Sequence, residues 1–530
     1  MSAIRRFSCA MFAALVAALP VGAQIANVRV SAPGAAAPEE VTIAINPANP
    51  SILAAGSNLR YFYRSTDAGL SWSQSLLPPG TYGDPSVTFD ANGWLYYGHL
   101  ANLSPAQDPT AHWIDRILIH RSTDGGATWK DSATVNKRTG TFAQDKEWLA
   151  SDMTSSPYHG NVYMAWTEFD NYGSDLPTDS SRILFVRSTD GGTTWSAPLR
   201  ISDRLGNCVD SDSTVEGAVP AVGPNGEVYV AWGGPLGIMF DRSTDGGVTF
   251  GTDRFVSDQP GGWDYMVTGI NRANGLPITA CDASQGPYRG RIYVSWTDQR
   301  HGIDNTDVFL SYSTDGGTNW SPASQVNRDL TTRQQFFNWM TVDQADGTVY
   351  EVYYDRRETT GDLTDVYVGR SVDGGETFSE IKVSASSFFP VENVFFGDYT
   401  NIAALGGKAY PIWMRLDTTT LSVWTAPMNF PPVSVERRPE AIPEHTSLFQ
   451  NYPNPFNPGT TIRYRVSGDR EVRLVVYDLL GREVAVLVDG AKPPGDYEVT
   501  FDAAGLASGV YIYRLRAGEY SAEKRMLVIR

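Results

Sequence analysis

The chain has 530 residues, with 50 Gly, 32 Pro and 12% aromatic side chains. That composition suits one large domain and a smaller one, both made of short strands joined by tight turns, and it argues against long helices. The formal net charge is −17, and residues 431–530 hold 13 basic and 13 acidic side chains, so the acidic excess lies in the first 430 residues. An acidic body argues against a nucleic-acid partner and against attraction to anionic surfaces.

The chain opens with Arg5 and Arg6, an apolar run from Cys9 to Leu19, and Val21-Gly22-Ala23. This reads as a secretory signal peptide over residues 1–23. Cys9 precedes the apolar run, which argues against a lipid anchor, and no later stretch is long and apolar enough to be a transmembrane segment. Removal of the signal leaves Cys208 and Cys281, which an oxidising compartment is able to join; the sequence leaves that bridge open. The six histidines have no metal-ligand spacing, and HExxH, P-loop and GxSxG patterns are absent. No cofactor is expected. The stretch CVDSDSTVE from Cys208 has carboxylates suited to calcium but lacks the spacing of a calcium loop, so an ordinary solvated loop is expected there.

From Arg64 onward one phrase recurs six times: RSTDAGLSW, RSTDGGATW from Arg121, RSTDGGTTW from Arg187, RSTDGGVTF from Arg242, YSTDGGTNW from Tyr312 and RSVDGGETF from Arg370. Its aspartates, Asp67, Asp124, Asp190, Asp245, Asp315 and Asp373, lie 57, 66, 55, 70 and 58 residues apart. Such an interval holds four strands and their turns. Within the phrase the carboxylate can accept backbone N–H bonds, the glycines permit positive φ, and the terminal Trp or Phe covers the turn. Before each box an inner strand often ends in Asp (Asp90, Asp152, Asp282, Asp343). A turn such as Asn92-Gly93 follows, then an aromatic and aliphatic strand such as NVYMAW, a third strand running into the box, and an outer strand after it.

The pattern Ser-x-Asp-x-Gly-x-x-Trp resembles the Asp-box, or BNR repeat, of the sialidase-like β-propellers. In that family the box marks the fold, lies on the face opposite the active site and carries no chemistry. From Phe396 the segments GDYTNIAAL, GKAYPIWM and LSVWTA supply three further strands without a box, and NVRVS at 27–31 matches the outer strands. The expectation is therefore an all-β, seven-bladed propeller over residues 24–427 whose last blade is closed by the N-terminal strand, with six blades as the alternative.

Residues 428–447, with Pro431-Pro432, Pro439 and Pro443, read as a linker. Beyond it LFQNYPNPFNPGTTIRYRV, VRLVVYDLLGREV and GDYEVTFDAAGLASGVYIYRLRAG resemble the type A C-terminal sorting domain of the type IX secretion system. Residues 448–530 are then expected to form a small immunoglobulin-like β-sandwich, with Val472, Leu474, Val476, Tyr511, Tyr513 and Leu515 half-buried in strands. This resemblance implies the type IX machinery as a partner, export through the periplasm, and a secreted or cell-surface destination.

In a propeller the loops entering the inner strands, and those between second and third strands, surround the upper mouth. Asp84, Asp145, Glu147, Glu216, Asp398 and Tyr399 begin or precede inner strands, and Arg300, Arg356 and Arg415 follow second strands. The sialidase resemblance implies roles for them: Arg300, Arg356 and Arg415 as a carboxylate clamp, Asp84 or Asp145 as the acid, and Tyr399 with Glu147 or Glu216 as the nucleophile pair. Two features depart from that family: the Phe/Tyr-Arg-Ile-Pro motif is absent, and seven blades change the geometry. A structural reading pairs Arg300 with Asp307 and Arg356 with Asp365. Trp148 and Trp263 are placed near the mouth as sugar-stacking candidates, and Asp398 as a binding group. The functional expectation is a glycan-acting propeller, hydrolytic or lectin-like, with a noncatalytic adhesion protein binding a protein or polymer as the alternative.

Overall fold

In this computed structural model, residues 25–430 and 446–529 are described, apart from 105, 131, 452, 469, 493–494 and 504–505. The expected signal peptide and most of the expected linker lie outside the described residues. The chain divides into two compact units, residues 1–433 and 434–530. Every regular element among the described residues is a β-strand.

The first unit contains seven antiparallel sheets of at least four strands, hereafter blades 1 to 7. Their innermost strands are Thr42–Ile45, Thr81–Phe89, Ala143–Ser151, Glu216–Val222, Ile278–Cys281, Gln335–Val342 and Asn401–Leu405. Each inner strand packs against the next, and Asn401–Leu405 packs back against Thr42–Ile45, so the ring is closed. Blade 7 takes its outer strand from the N-terminal end of the described chain: Val28 lies opposite Thr425 and Arg29 opposite Trp424. The Val30 N–H donates to Val423 O at 2.8 Å, and the Val423 N–H donates to Ser31 Oγ at 3.0 Å. Asn27 reaches across to blade 6, donating to Val383 O at 2.7 Å.

The repeated phrase forms the turn between third and fourth strands. In the first box the Ser65 hydroxyl donates to Asp67 at 2.8 Å and accepts the Gly69 N–H at 2.9 Å. The other oxygen of Asp67 accepts the Ser71 hydroxyl at 2.6 Å. The same bonds recur around Asp124, Asp190, Asp245, Asp315 and Asp373. The arginine that starts the phrase has a separate task. Arg64 donates to Gly125 O in the next box at 2.8 Å, Arg121 to Gly191 O at 2.6 Å, Arg187 to Gly246 O at 3.4 Å and Arg242 to Gly316 O at 2.5 Å. Tyr312 replaces the arginine in blade 5, and Arg291 on the neighbouring strand donates to Gly374 O instead, at 2.6 Å. The box aromatics also look to the preceding blade: Trp129 meets Phe62 at 4.9 Å, Phe250 meets Phe185 at 4.8 Å and Trp320 meets Phe240 at 5.1 Å. Each box is thus a latch between blades as well as a turn.

Trp166, Trp232, Trp296 and Trp413 near the ends of second strands are fully buried between blades. Cys208 and Cys281 are both buried free thiols, so no bridge joins them. The second unit is a sandwich: Ser447–Leu448, Gly459–Val466 and Gly495–Asp502 form one sheet, and Glu483–Lys492, Arg470–Tyr477, Gly509–Ala517 and Tyr520–Val528 the other. Ile462, Tyr464, Val472, Leu474, Val476, Tyr513 and Leu515 fill its core.

Closure by the N-terminal strand is testable. Deleting residues 27–31 exposes an edge of blade 7 and is expected to lower the propeller's melting temperature by several degrees, since each kcal/mol moves a large domain by about 2–4 °C or less. An unchanged melting temperature would show that the ring does not need this strand.

A second test concerns Glu351, which is fully buried in blade 6. Ser295 Oγ donates to it at 2.6 Å and Asn338 Nδ2 at 2.9 Å. Burial outweighs these bonds and pushes its carboxyl from 4.5 up to about 8. The folded group keeps its proton where the unfolded group has lost it, so its contribution to stability is full below pH 4.5 and falls as pH rises to about 8. Glu351→Gln removes the titration; its melting temperature should gain on the wild type from pH 5 to pH ~8 and then run parallel. A difference that stays constant with pH would refute the assignment.

Candidate functional site at the upper mouth

Four inner strands break register at the same level. The irregularities fall between Gly83 and Ser86, Asp145 and Trp148, Glu216 and Val219, and Phe336 and Trp339. Inside each break one residue has a left-handed backbone: Asp84 (φ 51°), Lys146 (φ 51°), Gly217 (φ 76°) and Phe337 (φ 51°). Glu40, just before the first inner strand, has φ 56°. Bulges re-aim side chains, and left-handed conformations of non-glycine residues cost energy, so their concentration on one rim marks the place where the fold is bent for a purpose.

The re-aimed side chains meet. Lys146 Nζ lies 2.5 Å from Asp398 and 3.3 Å from Asp84. Arg272 donates through Nε to Asp398 at 2.9 Å and pairs with Asp210 at 3.1 Å. Asn58 donates to Glu40 and accepts the Asp84 N–H at 2.9 Å. Burial acts against the charge of Lys146, but Asp398 and Asp84 more than compensate and hold the ammonium above its ordinary range. Burial likewise disfavours charge on Asp398 and Asp84. Lys146 and Arg272 hold Asp398 well below its usual value, and Lys146 with hydrogen bonds from Glu40 and Asp145 lowers Asp84. Around them burial pushes the carboxyls of Glu40, Asp145, Glu147 and Glu216 well above their usual range, reinforced for each by neighbouring carboxylates. Neither oxygen of Glu147 or of Glu216 receives a hydrogen bond; the Glu216 carboxyl faces Asp210. The rim therefore sets carboxyl groups that burial pushes up beside carboxylates that cations hold down, with Lys146 and Arg272 between them.

Beneath this cluster Trp148 and Trp339 pack 4.2 Å apart, with Tyr399 edge-on to Trp148 at 5.7 Å. Both indoles line the axial cavity below, about 460 Å³ and walled by Ile43, Val87, Leu149, Met340 and Ile402. They also line a pocket of about 40 Å³ above, which reaches Lys146, Asp398 and Tyr399. The aromatic layer stands between the charged mouth and the apolar axis.

Part of the mouth is roofed by an insert before blade 5, in the longest interval between boxes. Its hairpin pairs Asp264–Tyr265 with Ala273–Asn274. Besides Arg272, Asn274 Nδ2 donates to Asp398 O at 2.8 Å, and the Asp264 N–H to Asp212 at 2.8 Å. Arg272 is the least buried charge of the centre, its side chain 36% exposed.

The structure brings together Asp84, Asp145, Glu147, Glu216, Asp398, Tyr399 and Trp148. Three expected arginines do not join them. Arg300 pairs with Asp298 at 2.5 Å and lies over the Phe309 ring. Arg415 pairs with Asp417 at 2.8 Å and donates to Ser386. Arg356 is buried, donating to Gln334, Thr364 and the Thr268 carbonyl of the insert, and burial lowers it to about 10. They share no partner, so the expected carboxylate clamp is not formed. The alternative pairings differ as well: Asp307 takes His301, and Asp365 takes Lys382. Trp263 is buried and its indole N–H donates to Thr214 O at 3.2 Å, which withdraws it as a stacking surface. Glu40 and Arg272 were missed. The 70-residue gap between Asp245 and Asp315 was the signal for an insert, yet nothing in it singled out Arg272.

Residues 450–529 match the family described as the secretion system C-terminal sorting domain. The tail is a sorting domain. It addresses the chain through type IX secretion to the cell surface or the extracellular space. The propeller is similar to sialidases: the chain is 24% identical over 299 residues to a sialidase of Micromonospora viridifaciens, covering 52% of this chain and 42% of that protein. The match spans less than half the length of that relative. Among solved structures, the Hadza microbial sialidase Hz136 aligns over 72% of this chain and 73% of its own at 12% identity (TM-score 0.39). The NanB sialidase of Streptococcus pneumoniae aligns over 72% and 83% at 9% identity (TM-score 0.43). A PL25 ulvan lyase aligns over 76% and 94% at 12% identity (TM-score 0.44).

The buried centre predicts its own fragility. Asp398→Asn leaves Lys146 and Arg272 without their shared anion and should destabilise the propeller by about 3–5 kcal/mol, read as a lower midpoint in denaturant. A change below about 1 kcal/mol would mean that Asp84 and Asp210 suffice to hold both cations.

Proposed function

We propose that this protein is an extracellular glycan-acting propeller whose upper mouth takes a neutral sugar and hydrolyses its glycosidic bond. The observation that carries the reading is the packing of Asp145 and Glu216, whose carboxyls burial pushes up, with Asp84 and Asp398, which Lys146 holds down, in one buried cluster. Glycoside hydrolysis needs a carboxylic acid to protonate the leaving oxygen and a carboxylate to assist at the anomeric carbon. In this reading Asp145 turns from its hydrogen bond with Asp84 to protonate the glycosidic oxygen, and the freed Asp84 carboxylate activates the water that attacks the anomeric carbon. Trp148 and Tyr399 form the floor on which the sugar sits, and Arg272 is the charge met first.

A neutral sugar is favoured over a sialoside because both central cations are already paired, and Arg300, Arg356 and Arg415 are committed elsewhere. A carboxylated sugar would meet acids with no free clamp. The same commitment of the arginines favours a second reading, a noncatalytic surface protein that binds a glycan or other polymer without cleaving it.

The readings separate in a panel of fluorogenic neutral glycosides and an α-sialoside, scored for turnover and for binding. Turnover of a neutral glycoside, reduced ~10²–10⁴-fold in Asp145→Asn, is the expected result. Binding without turnover would establish the second reading. Cleavage of the sialoside alone would reverse the assignment of substrate charge.

A further inference from the structure

An aromatic row crosses the upper face beside the charged centre. Trp113, in the loop between second and third strands of blade 2, is 45% exposed, the most exposed tryptophan among the described residues. Tyr82 stands perpendicular to it at 6.1 Å and Tyr172, from blade 3, meets it at 5.2 Å and 70°. Tyr172 is fixed in turn by Phe169 at 5.0 Å and by a hydrogen bond from its hydroxyl to Asp210. Asp210 pairs with Arg272 and so belongs to the central cluster.

The exposure of Trp113 is built in. Its neighbour Ile114 is buried with φ 40°. Asp115 accepts the His112 N–H at 3.2 Å and pairs with Arg116 at 2.7 Å, and Arg116 pairs with Asp108 at 2.6 Å. The loop is braced on both sides of the indole while the indole itself faces solvent. A large apolar ring held outward on a rigid loop at the edge of a cleft is a binding surface in waiting, because its exposure forgoes burial that the loop could otherwise have provided.

We propose that Trp113, flanked by Tyr82 and Tyr172, is a sugar-stacking subsite that holds a second ring of a neutral oligosaccharide whose first ring occupies the mouth. The assignment rests on the glycan reading of that mouth. Aromatic faces suit the C–H face of a pyranose or furanose ring, and the carboxyl groups of Asp210 and Asp145 at the inner end of the row suit its hydroxyls. Tyr172 touches both the platform and the centre, so a chain of two or more rings reaches both at once.

The test is calorimetric titration of the full chain and its Trp113→Ala and Trp113→Phe variants. The ligands are neutral mono- to hexasaccharides of glucose, xylose, mannose, galactose and arabinose. Trp113→Ala is expected to weaken the oligosaccharides at least ~10-fold, equivalent to ~1.4 kcal/mol, and to leave the monosaccharides unchanged. Trp113→Phe, which keeps a ring, should stay within about threefold of the wild type. Oligosaccharide affinity unchanged in Trp113→Ala would overturn the subsite and leave the glycan reading of the mouth standing. A wild type that binds none of the panel would overturn both. Matching melting temperatures of the three proteins separate lost contact from lost fold.

Discussion

Every blade has two edges, and the propeller depends on turning the inner ones toward a common axis and keeping the outer ones short. An isolated four-stranded sheet offers unpaired N–H and C=O groups on both sides, which invites pairing with other chains. Here the inner edges face one another around the axis, and the last outer position is filled by Val28 and Arg29 against Trp424 and Thr425. The boxes add a second circuit of bonds outside the first. Arg64, Arg121, Arg187 and Arg242 each reach the glycine carbonyl of the following box, so neighbouring blades are joined at their lower ends as well as through their inner strands. With the lower face and the ring closed in this way, the upper face is free to carry conformations and charges that would unfold a less constrained sheet.

That freedom is used at one level of the inner strands. Asp84, Lys146 and Phe337 hold left-handed backbone conformations inside breaks of register, and only blade 4 has a glycine at the corresponding place, Gly217. The cluster they help assemble buries two cations and more than twice as many acids. It survives because burial pushes four of the acids, Glu40, Asp145, Glu147 and Glu216, toward the neutral form, which costs less than carrying the full charge inward. A site that merely held blades together would be served better by apolar packing of the same volume.

Much of this architecture was legible in the sequence, and for physical reasons. The box is local: Ser, Asp, Gly and the hydroxyl residue four positions on from Asp, or Asn319 in the fifth copy, bond within one turn, so six copies announce six turns. Alternating strands and the unmatched NVRVS segment likewise announce the closing strand. The inward positions of Asp84, Asp145, Glu216 and Asp398 followed from their place at the entry to inner strands. What escaped were contacts between distant segments. Arg272 lies 126 residues from its partner Asp398, inside an insert with no repeat pattern to align. Their place after second strands points Arg300 and Arg415 to the mouth, yet each finds a carboxylate two residues along its own chain. A local partner wins over a distant ligand because it costs no additional ordering. Trp263 and Trp113 show the same limit from the other side, since composition does not tell a tryptophan that plugs a gap from one that is left outside.

The charge balance at the mouth also bears on which opening of the ring is used. The axial cavity is larger than the pocket above the tryptophans, but its walls are aliphatic and aromatic side chains with scattered hydroxyls and amides, and none of the carboxyl groups of the cluster lines it. A ligand there would meet no acid and carboxylate pair. Above the Trp148 and Trp339 layer the situation reverses: proton donors, carboxylates and an aromatic floor are within one residue of each other, and the strain of the bulged strands is concentrated there. Size alone would choose the cavity. Chemistry chooses the mouth, because reactive groups are expensive to bury and the fold has buried them only on that side.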